Sequence, residues 1–329
     1  MDPGRKAVTR ADVARLAGVS PAVVSYVLTG SERPVSAAAR ARVLAAVDQL
    51  GYRPNAAARA LSRGRSSLIG LIVPDQRNPF FAGMASLLDH AARAQQLTVL
   101  ILSAHERRSG VEEIEGLTAQ PLEGIISADA LTPQELRVTE RGRTPLVFVN
   151  QFRAQPGHPT LSTDYVAGAR LAVEHLITLG HRRIAFIGSA SQLDPREAGW
   201  RQALVDAGLP GGPVLHSEWS VEDGYRAGQQ LAERREEVTA VFAASDQIAT
   251  GALAGLHSRG VDIPGDISVV GFDGTPDAAY TWPALTSVSQ PVEEMTRDAV
   301  ALLATGDLTP MFRDYPATLL VRDSTAPPR

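Results

Sequence analysis

The chain has 329 residues, enough for two or three domains, and 44% of them are hydrophobic, enough for a substantial core. Its lack of cysteine excludes disulfides and thiolate chemistry, and leads us to expect a cytoplasmic location. It has neither an apolar run of about 18 residues nor the apolar segment of a signal peptide, so we expect no membrane partner.

Charge divides the chain into a basic N-terminal part and an acidic remainder. Residues 1–65 contain 11 Lys and Arg against 4 Asp and Glu, a net charge of +7, which leaves −11 for the rest of a chain whose total is −4. A basic head on an acidic body predicts phosphate binding at one end of the molecule. The alternative interpretation is an arginine-rich face that is merely solvated.

Two short helices joined by a turn are predicted in residues 8–30, VTRADVARLAGVSPAVVSYVLTG. Thr9 is placed to cap the first helix, with Asp12 three residues on as in a capping box. Gly18 supplies the turn and Ser20 caps the second helix. This layout is typical of a helix-turn-helix, whose second helix enters the major groove of DNA. The residues predicted on the inward faces are Val13, Leu16, Val24 and Val27.

A third helix is predicted from residue 36 to residue 50, and Gly51 ends it. A further short helix at 56–63, AAARALSR, follows Asn55 as its cap. Eight residues are fewer than the roughly 12–15 needed for a stable helix in water, so this segment needs contacts with DNA and a second subunit. The residues predicted to be buried by the third helix are Val43, Leu44, Val47 and Leu50.

The segment DVARLAGVSPAVVSYVLTG is similar to the LacI/GalR family of bacterial transcriptional repressors, whose usual pattern is close to DVA-x-x-AGVSPATVSRVLNG. Three residues on the DNA-reading surface depart from that pattern: Val23 replaces Thr, Tyr26 replaces Arg and Thr29 replaces Asn. An arginine would donate two hydrogen bonds to a guanine edge, whereas a tyrosine offers one hydroxyl and a ring. We therefore expect a different base preference at the operator position that residue 26 faces.

The resemblance implies that residues 56–63 form a hinge helix, pairs of which enter the minor groove and wedge Leu61 into a base step. The alternative interpretation is a plain interdomain linker. Among the residues expected to bind DNA, Ala22 and Val23 are placed to meet thymine methyl groups, while the serines act as caps or phosphate contacts. The full set is Thr9, Ser20, Pro21, Ala22, Val23, Ser25, Tyr26, Thr29, Ser36, Asn55, Ala58, Arg59 and Leu61.

From residue 67 onwards, short apolar strands alternate with amphipathic helices. This alternation predicts an α/β fold with two doubly wound parallel-sheet subdomains and a ligand cleft between them, at the carboxyl ends of the strands. The predicted strands are 68–73, 97–102, 124–127, 145–150, 184–188, 240–245 and 267–272, and the segment 286–290 is expected to carry the chain between the two halves again. The predicted helices are 80–95, 166–179, 196–207, 222–232, 246–259 and 291–303.

We expect a helix-turn-helix domain at 1–54, a hinge helix and linker at 55–66, and an effector-binding and dimerisation domain at 67–325. This body resembles periplasmic sugar-binding proteins, as does the body of the LacI/GalR repressors. Its two subdomains are expected at 67–162 with 291–316, and at 163–290 with 317–325.

Polar and aromatic residues collect after the predicted strands, where the resemblance implies ligand contacts. The residues expected to bind a ligand are Asn78, Phe80, Phe81, Asn150, Arg196, Trp219, Ser245, Asp273 and Gln290. Rings together with amide, guanidinium and carboxylate groups suit a polyhydroxylated ligand, a sugar or a nucleoside. Phe80, Phe81 and Trp219 could equally be packing residues, and Asp246 is interpreted as a helix cap. Since Asp273 and Arg196 are costly to bury alone, they are expected to bind ligand or to pair with each other.

These observations favour a homodimeric transcriptional repressor that binds a double-stranded, near-palindromic operator under the control of a small-molecule effector. One alternative is a sugar-binding receptor without a DNA role, for which the basic head would be superfluous. A second is an enzyme, but the single lysine, Lys6, excludes a P-loop, and neither G-x-S-x-G nor H-E-x-x-H occurs. We therefore expect no catalytic residue, no cofactor and no bound metal.

Overall fold

The computed structural model of the protein describes residues 8–29, 33–52, 66–104, 110–189 and 194–329. The chain divides into two compact units, Met1–Ser66 and Ser67–Arg329. No single helix among the described residues is long and apolar enough to cross a membrane. The first two helices of the chain reach the required length and hydropathy together, but they are bent by 102° where they meet.

The first unit contains three helices, α1 Arg10–Ala17, α2 Pro21–Thr29 and α3 Ala37–Leu50. The predicted capping box is confirmed, because the Thr9 hydroxyl accepts from the Asp12 amide while the Asp12 carboxylate accepts from the Thr9 amide at 2.9 Å. Gly18 ends α1 in the left-handed conformation, at φ +62°, and this lets the chain turn sharply into α2.

The three helices bury a small apolar core that contains Val13, Val24, Val27 and Val43. Two predicted core residues are on the surface instead, since Leu16 is 47% exposed and Leu44 is 48% exposed. Each lies about 100° around its helix from the centre of the buried stripe, because successive residues of an α-helix are rotated by about 100°. Helical periodicity therefore predicted the correct helices but assigned too many residues to their buried faces.

The second unit is built on two six-stranded sheets. The strands of the first sheet are β1 Leu68–Val73, β2 Thr98–Ser103, β3 Gly124–Ser127, β4 Leu146–Val149, β5 Thr160–Thr163 and β11 Phe312–Tyr315. Those of the second sheet are β6 Ile184–Gly188, β7 Val214–His216, β8 Ala240–Ala243, β9 Ser268–Asp273, β10 Thr286–Ser289 and β12 Thr318–Leu320. The strand orders are β11-β5-β4-β3-β1-β2 and β12-β10-β9-β8-β6-β7.

Helices connect these strands and cover the sheets. They are α4 Pro79–Ala94, α5 Gly110–Thr118, α6 Pro133–Arg141, α7 Tyr165–Thr178, α8 Pro195–Asp206, α9 Val221–Glu233, α10 Asp246–His257 and α11 Val292–Thr305. Strand pairing is parallel except between β10 and β12. The predicted fold class, a helical head followed by two doubly wound parallel sheets, is confirmed.

The chain passes between the two sheets at three places, after β5, after β10 and between β11 and β12. Each sheet has its own buried core, one around Ile69, Leu71 and Met84 and the other around Phe186, Trp200 and Phe242. Two cores joined by three short crossings form two lobes, with the carboxyl ends of their strands bordering the cavity described below.

Candidate functional site

A cavity of about 730 Å³ lies between the two lobes of the second unit. Its walls come from the carboxyl ends of strands in both sheets, which is where α/β proteins collect ligands. All nine residues predicted to bind a ligand line this cavity: Asn78, Phe80, Phe81, Asn150, Arg196, Trp219, Ser245, Asp273 and Gln290. The structure therefore brings together residues that span more than 200 positions of sequence.

Further polar and aromatic residues line the cavity that sequence reasoning did not identify. Asp75 and Arg77 follow β1 and form a two-point ion pair, with Arg77 Nε and Nη2 donating to the two Asp75 oxygens at 3.1 Å and 3.0 Å. The other members of this group are Gln151, Phe152, Tyr165, Glu218, Ser220, Glu222 and Gln247. Asp75 and Gln151 sit just beyond strands, so a search of every strand end would have found them.

Arg196 is buried and is held in a fixed orientation. Its Nε donates to Asp194 Oδ1 at 3.0 Å and its Nη1 donates to the Ala244 carbonyl at 2.9 Å. The Trp219 ring lies 4.4 Å from the guanidinium carbon, and the Phe152 and Tyr165 rings lie 5.0 Å and 5.2 Å from it. An arginine clamped in this way presents its guanidinium edge without further loss of side-chain freedom.

Asp273 is the last residue of β9 and is buried at the cavity wall. Its Oδ1 accepts a hydrogen bond from Gln290 Nε2 at 2.8 Å. Burial raises the pKa of Asp273 well above its usual value, and the nearby Asp246 carboxylate raises it further while Arg196 opposes the shift. The pairing of Asp273 with Arg196 that we expected as one alternative is wrong, because the buried partner of Arg196 is Asp194.

Gln290 connects this carboxylate to the crossings between the lobes. It follows β10 at one crossing, and its Oε1 accepts from Thr163 Oγ1 at 2.7 Å, at the end of β5 where another crossing begins. The same side chain therefore joins the cavity wall to two of the three connections between the lobes.

Asp246 does not act as the helix cap that the sequence suggested. Ser245 has the extended φ of −153° that an N-cap needs, and its hydroxyl accepts from the Ile248 amide at 3.1 Å. Asp246 is instead buried and accepts from the Thr275 amide at 2.7 Å and from the Ser287 hydroxyl. Burial raises its pKa to about 6, against the effect of these hydrogen bonds. It supports the wall behind Asp273 and does not line the cavity.

Three cavity residues other than glycine have a positive φ: Asn150 at +56°, Trp219 at +62° and Asp273 at +125°. Such conformations cost of order 1–3 kcal/mol each and are concentrated at functional sites. Asn150 is tied down by the Tyr165 hydroxyl, which donates to its Oδ1. Backbone strain at three wall positions indicates that side-chain direction there is set by function as well as by packing.

The aromatic residues of the wall combine packing with exposure to the cavity. Phe80 is 6% exposed and belongs to the core of the first lobe, with Phe81 packed edge-on at 5.2 Å between ring centroids. Trp219 packs against the core of the second lobe. These rings therefore belong both to the apolar cores and to the cavity wall.

In the first unit, α2 presents a surface of the kind that reads DNA. Pro21 and Ala22 are exposed, Val23, Ser25 and Tyr26 are half-buried, and Val24 and Val27 face the core. Two arginines from outside the helix reach this face, where Arg10 Nη1 donates to Ser25 Oγ at 3.1 Å and Arg33 Nη1 donates to the Tyr26 hydroxyl at 2.9 Å.

The remaining predicted DNA contacts divide into two groups. Thr9, Ser20 and Ser36 are exposed and cap α1, α2 and α3 respectively, with Ser36 Oγ accepting from the Ala39 amide at 3.3 Å. The side chain of Thr29 and the residues Asn55, Ala58, Arg59 and Leu61 lie outside the described part of the chain.

Comparison with known proteins agrees with this geometry. Residues 9–55 match the family model of bacterial regulatory proteins of the lacI family, and residues 173–325 match a periplasmic binding protein-like domain. The HTH-type transcriptional regulator GalS of Salmonella typhimurium is 37% identical over 335 residues, covering 97% of each chain. The chain belongs to the LacI family. It is a helix-turn-helix transcriptional regulator with a periplasmic-binding-protein-like domain, as the sequence predicted.

Solved structures of this LacI-family fold are similar over almost the whole chain. A lac repressor dimer bound to operator and the anti-inducer ONPF superimposes with a TM-score of 0.84 at 30% identity, covering 98% of this chain and 100% of that one. A complex of the transcriptional regulator CelR with cellobiose gives a TM-score of 0.70 at 31% identity, covering 96% and 99%. These relatives are regulators, so the similarity favours regulation over catalysis.

Proposed function

We propose that this LacI-family regulator represses transcription as a homodimer and that an uncharged, polyhydroxylated ligand in the cavity lowers its affinity for operator DNA. The observation that carries the ligand assignment is the fixed Arg196 guanidinium beside the buried Asp273 carboxylate, in a cavity walled by aromatic rings. The solved relative bound to operator and a small molecule supports the link between cavity and DNA.

The residues of the cavity favour a sugar or a nucleoside over other ligands. Carboxylate and amide oxygens accept hydroxyl hydrogens, guanidinium and amide groups donate to hydroxyl oxygens, and rings pack against the C–H face of a sugar. A volume of about 730 Å³ accommodates a ligand of disaccharide size. The CelR relative was solved with cellobiose, which has this chemistry.

The charge balance of the wall favours an uncharged ligand over a phosphorylated one. Arg196 is paired with Asp194 and Arg77 with Asp75, so both cationic side chains already face a carboxylate. Glu218 and Glu222 add negative charge to the same cavity. An anionic ligand would have to approach these carboxylates, and both arginines that the structure describes in the wall are already paired with carboxylates.

Two exposed apolar surfaces support the homodimer. Strand β2 is an edge of the first sheet, and its Leu100 and Ile101 are 36% and 50% exposed. In the second lobe, Tyr280 and Trp282 are each 87% exposed. An apolar edge strand and large exposed rings are unfavourable on a monomer and are typical of contact surfaces. A second copy of the chain would cover them and would place two heads on a symmetric operator.

Gln290 links the ligand site to the connections between the two lobes. A hydroxyl that binds Asp273 competes for the carboxylate with Gln290, which also holds Thr163 at another crossing. Occupancy of the cavity therefore changes the relative stability of two lobe arrangements. We expect a coupling free energy of about 1–3 kcal/mol between ligand and operator, equivalent to about a 5- to 150-fold change in DNA affinity.

The proposed function is tested with the full-length protein in two steps. Its operator is first obtained by selection from random duplex DNA, and neutral sugars, nucleosides and sugar phosphates are then screened by thermal shift. We expect neutral ligands to raise the melting temperature and to weaken binding to the selected operator. Asp273→Ala should remove this response and leave operator binding intact. Stabilisation by sugar phosphates alone, or a ligand without effect on DNA affinity, would contradict the proposal.

A further inference from the structure

Arg196, the buried arginine of the cavity wall, is paired with a carboxylate that lies behind the wall. The side chains of Arg196 and Asp194 are 5% and 0% exposed, and they form an ion pair. A single carboxylate oxygen, Asp194 Oδ1, accepts from both the backbone amide and the Nε of Arg196, each at 3.0 Å. Asp194 does not itself line the cavity, so any effect it has on a ligand acts through Arg196.

The same carboxylate caps the N-terminus of α8, but capping does not require its charge. Serine and asparagine cap helices about as well as aspartate does, and neutral caps are present at Asn78, Ser220 and Ser245. The second oxygen of Asp194, Oδ2, is buried, and no described residue donates to it. Burying a carboxylate with one oxygen unpaired costs free energy that a neutral cap would avoid. The negative charge therefore has a role beyond capping, and its bonded partner is Arg196.

The other acidic residues near the cavity have less influence on the charge of Arg196. Glu218 and Glu222 line the cavity but are exposed to solvent, which screens their charge. Asp273 is buried near Arg196, but burial raises its pKa well above the usual value and so favours its uncharged form. In the described part of the chain, Asp194 is the carboxylate in direct contact with Arg196.

We propose that Asp194 determines the charge selectivity of the cavity, because its carboxylate compensates the positive charge of Arg196 and thereby excludes anionic ligands. This inference rests on the ligand site of the proposed function and names the residue that restricts this site to uncharged compounds. A neutral residue at position 194 would leave an uncompensated guanidinium in the wall, packed against the rings of Phe152, Tyr165 and Trp219. A cation in such a place favours a carboxylate or a phosphate, because charge-assisted hydrogen bonds are strong where water is scarce.

Asp194→Asn removes the charge and keeps the rest of the arrangement. The side-chain oxygen of an asparagine accepts from the Arg196 amide and Nε as Asp194 Oδ1 does, and asparagine is as good a helix cap as aspartate. The ligand-free variant should be less stable than the wild type, because Arg196 is left buried and unpaired. Anions that leave the wild type unaffected should then stabilise the variant.

The test is a thermal-shift and calorimetric titration of the full-length proteins with glucose, glucuronate and inorganic phosphate, at an ionic strength held constant with chloride. Asp194→Asn should bind at least one of the two anions on the order of 10- to 100-fold more tightly than the wild type does. Glucose, the uncharged match of glucuronate, should show no such gain. Asp194→Glu keeps the charge and should exclude the anions as the wild type does. Asp194→Ser, a second neutral cap, should gain anion affinity and serves as the test if the asparagine variant does not fold.

Glu197→Gln is the matched control, because it removes a carboxylate from the same turn of α8 and this carboxylate pairs with the exposed Arg201. It should leave the affinities for glucose and both anions unchanged. If the neutral variants at position 194 bind the anions no better than the wild type, or if Glu197→Gln gains as much, the inference is overturned. A wild type that no sugar or nucleoside stabilises would contradict the proposed function instead, while the anion titrations would still decide the role of Asp194.

Discussion

Asp273 combines burial, a positive φ and a second carboxylate nearby, and each of these sets its chemistry. Burial and Asp246 both favour the protonated form, so the ligand-free protein holds a proton there to a higher pH than a free aspartate would. Ligand hydroxyls donate to the ionised form. If Asp273 accepts ligand hydroxyls as a carboxylate, as proposed, ligand binding releases that proton and the raised pKa lowers the ligand affinity at low pH.

We predict that ligand affinity increases as the pH rises through the folded-state pKa of Asp273. The slope should approach about tenfold per pH unit below that pKa and vanish above it. Titrations from the usual pKa of an aspartate upwards measure the effect, and calorimetry in two buffers measures the proton released. Asp273→Asn should bind more weakly and without this slope. An affinity independent of pH in the wild-type protein would refute the prediction.

Arg196→Lys is predicted to lower the affinity for the ligand at least about tenfold and to leave operator binding unchanged. A lysine cannot reproduce the planar group that bonds Asp194 and Ala244 and stacks on Trp219. Fluorescence or calorimetric titration gives the ligand affinity. The matched control is Arg201→Lys, on the same helix, because Arg201 is exposed and pairs with Glu197. Equal effects of the two substitutions would remove Arg196 from the ligand site.

The position of a residue after a strand, together with the family resemblance, identified nine of the residues that line the cavity. Asn150 and Asp273 follow or end apolar strands that are visible in the sequence, whereas Tyr165 begins a helix and carries the pattern of a core residue. The buried role of Asp246 could not be predicted either, because its partners Thr275 and Ser287 come from segments whose pairing appears only in three dimensions.

At the scale of elements, helices α9 and α10 cross with their backbones in direct contact. A Cβ at Gly255 would overlap the Tyr225 carbonyl oxygen, and one at Gly251 would overlap that of Val221. The close approach explains why these helices carry glycine in spite of its cost inside a helix. It also holds α9, which begins beside Trp219, at a fixed distance from the second sheet.

Gly255→Ala is predicted to destabilise the protein by about 1–3 kcal/mol, because backbone atoms cannot move aside as a flexible side chain can. Gly116→Ala, in the middle of α5, is the control, since a Cβ there meets nothing within 4 Å. It should stabilise by up to about 1 kcal/mol through helix propensity. Denaturant unfolding of both variants measures the difference. Equal stabilisation by the two substitutions would show that the helix crossing tolerates a methyl group.

Strands of four or more apolar residues were predictable, whereas polar strands and very short strands were not. Strand β5 has the sequence TLST and is fully buried, with the Ser162 hydroxyl donating to the Gln151 carbonyl and the Thr163 hydroxyl to Gln290. Strands β7, β11 and β12 were missed because three or four residues give no usable periodicity. Their formation depends on neighbouring strands that already exist.

At the scale of the whole molecule, function requires two heads, and the exposed edge of the first sheet is a candidate contact surface between subunits. Within the described ranges, strand β2 pairs only on one side and carries two exposed apolar residues, Leu100 and Ile101. An isolated subunit would expose this edge to non-specific strand addition. Burying it against a second copy would remove the hazard and couple the lobes of the two subunits.

Ile101→Arg is predicted to weaken self-association at least about tenfold, because a charge would be buried in an apolar contact. Analytical ultracentrifugation over a dilution series measures the dissociation constant. Val205→Arg is the matched control, as Val205 is 69% exposed on α8, away from the sheet edge. A dimer unaffected by Ile101→Arg would exclude β2 from the interface.

Leu61→Ala tests the hinge helix that the sequence predicts outside the described residues. Loss of the wedge should lower operator affinity much more than affinity for non-specific duplex DNA, since only the operator complex contains the kinked base step. Binding titrations with the selected operator and a scrambled duplex give the two losses. Equal losses would show that Leu61 is part of a plain linker.

The side-chain amide of Gln290 bonds both Asp273, the carboxylate proposed to bind the ligand, and Thr163 at a crossing between the lobes. In the proposed mechanism, ligand binding and the response of the lobes therefore depend on the same side chain. A homologue in which Asp273 is replaced to accommodate a new ligand also has a different coupling between ligand binding and operator affinity. New specificities in this scaffold should therefore arise together with shifted induction thresholds, and compensating changes should be found at Thr163 and Gln290 before they are found in the head.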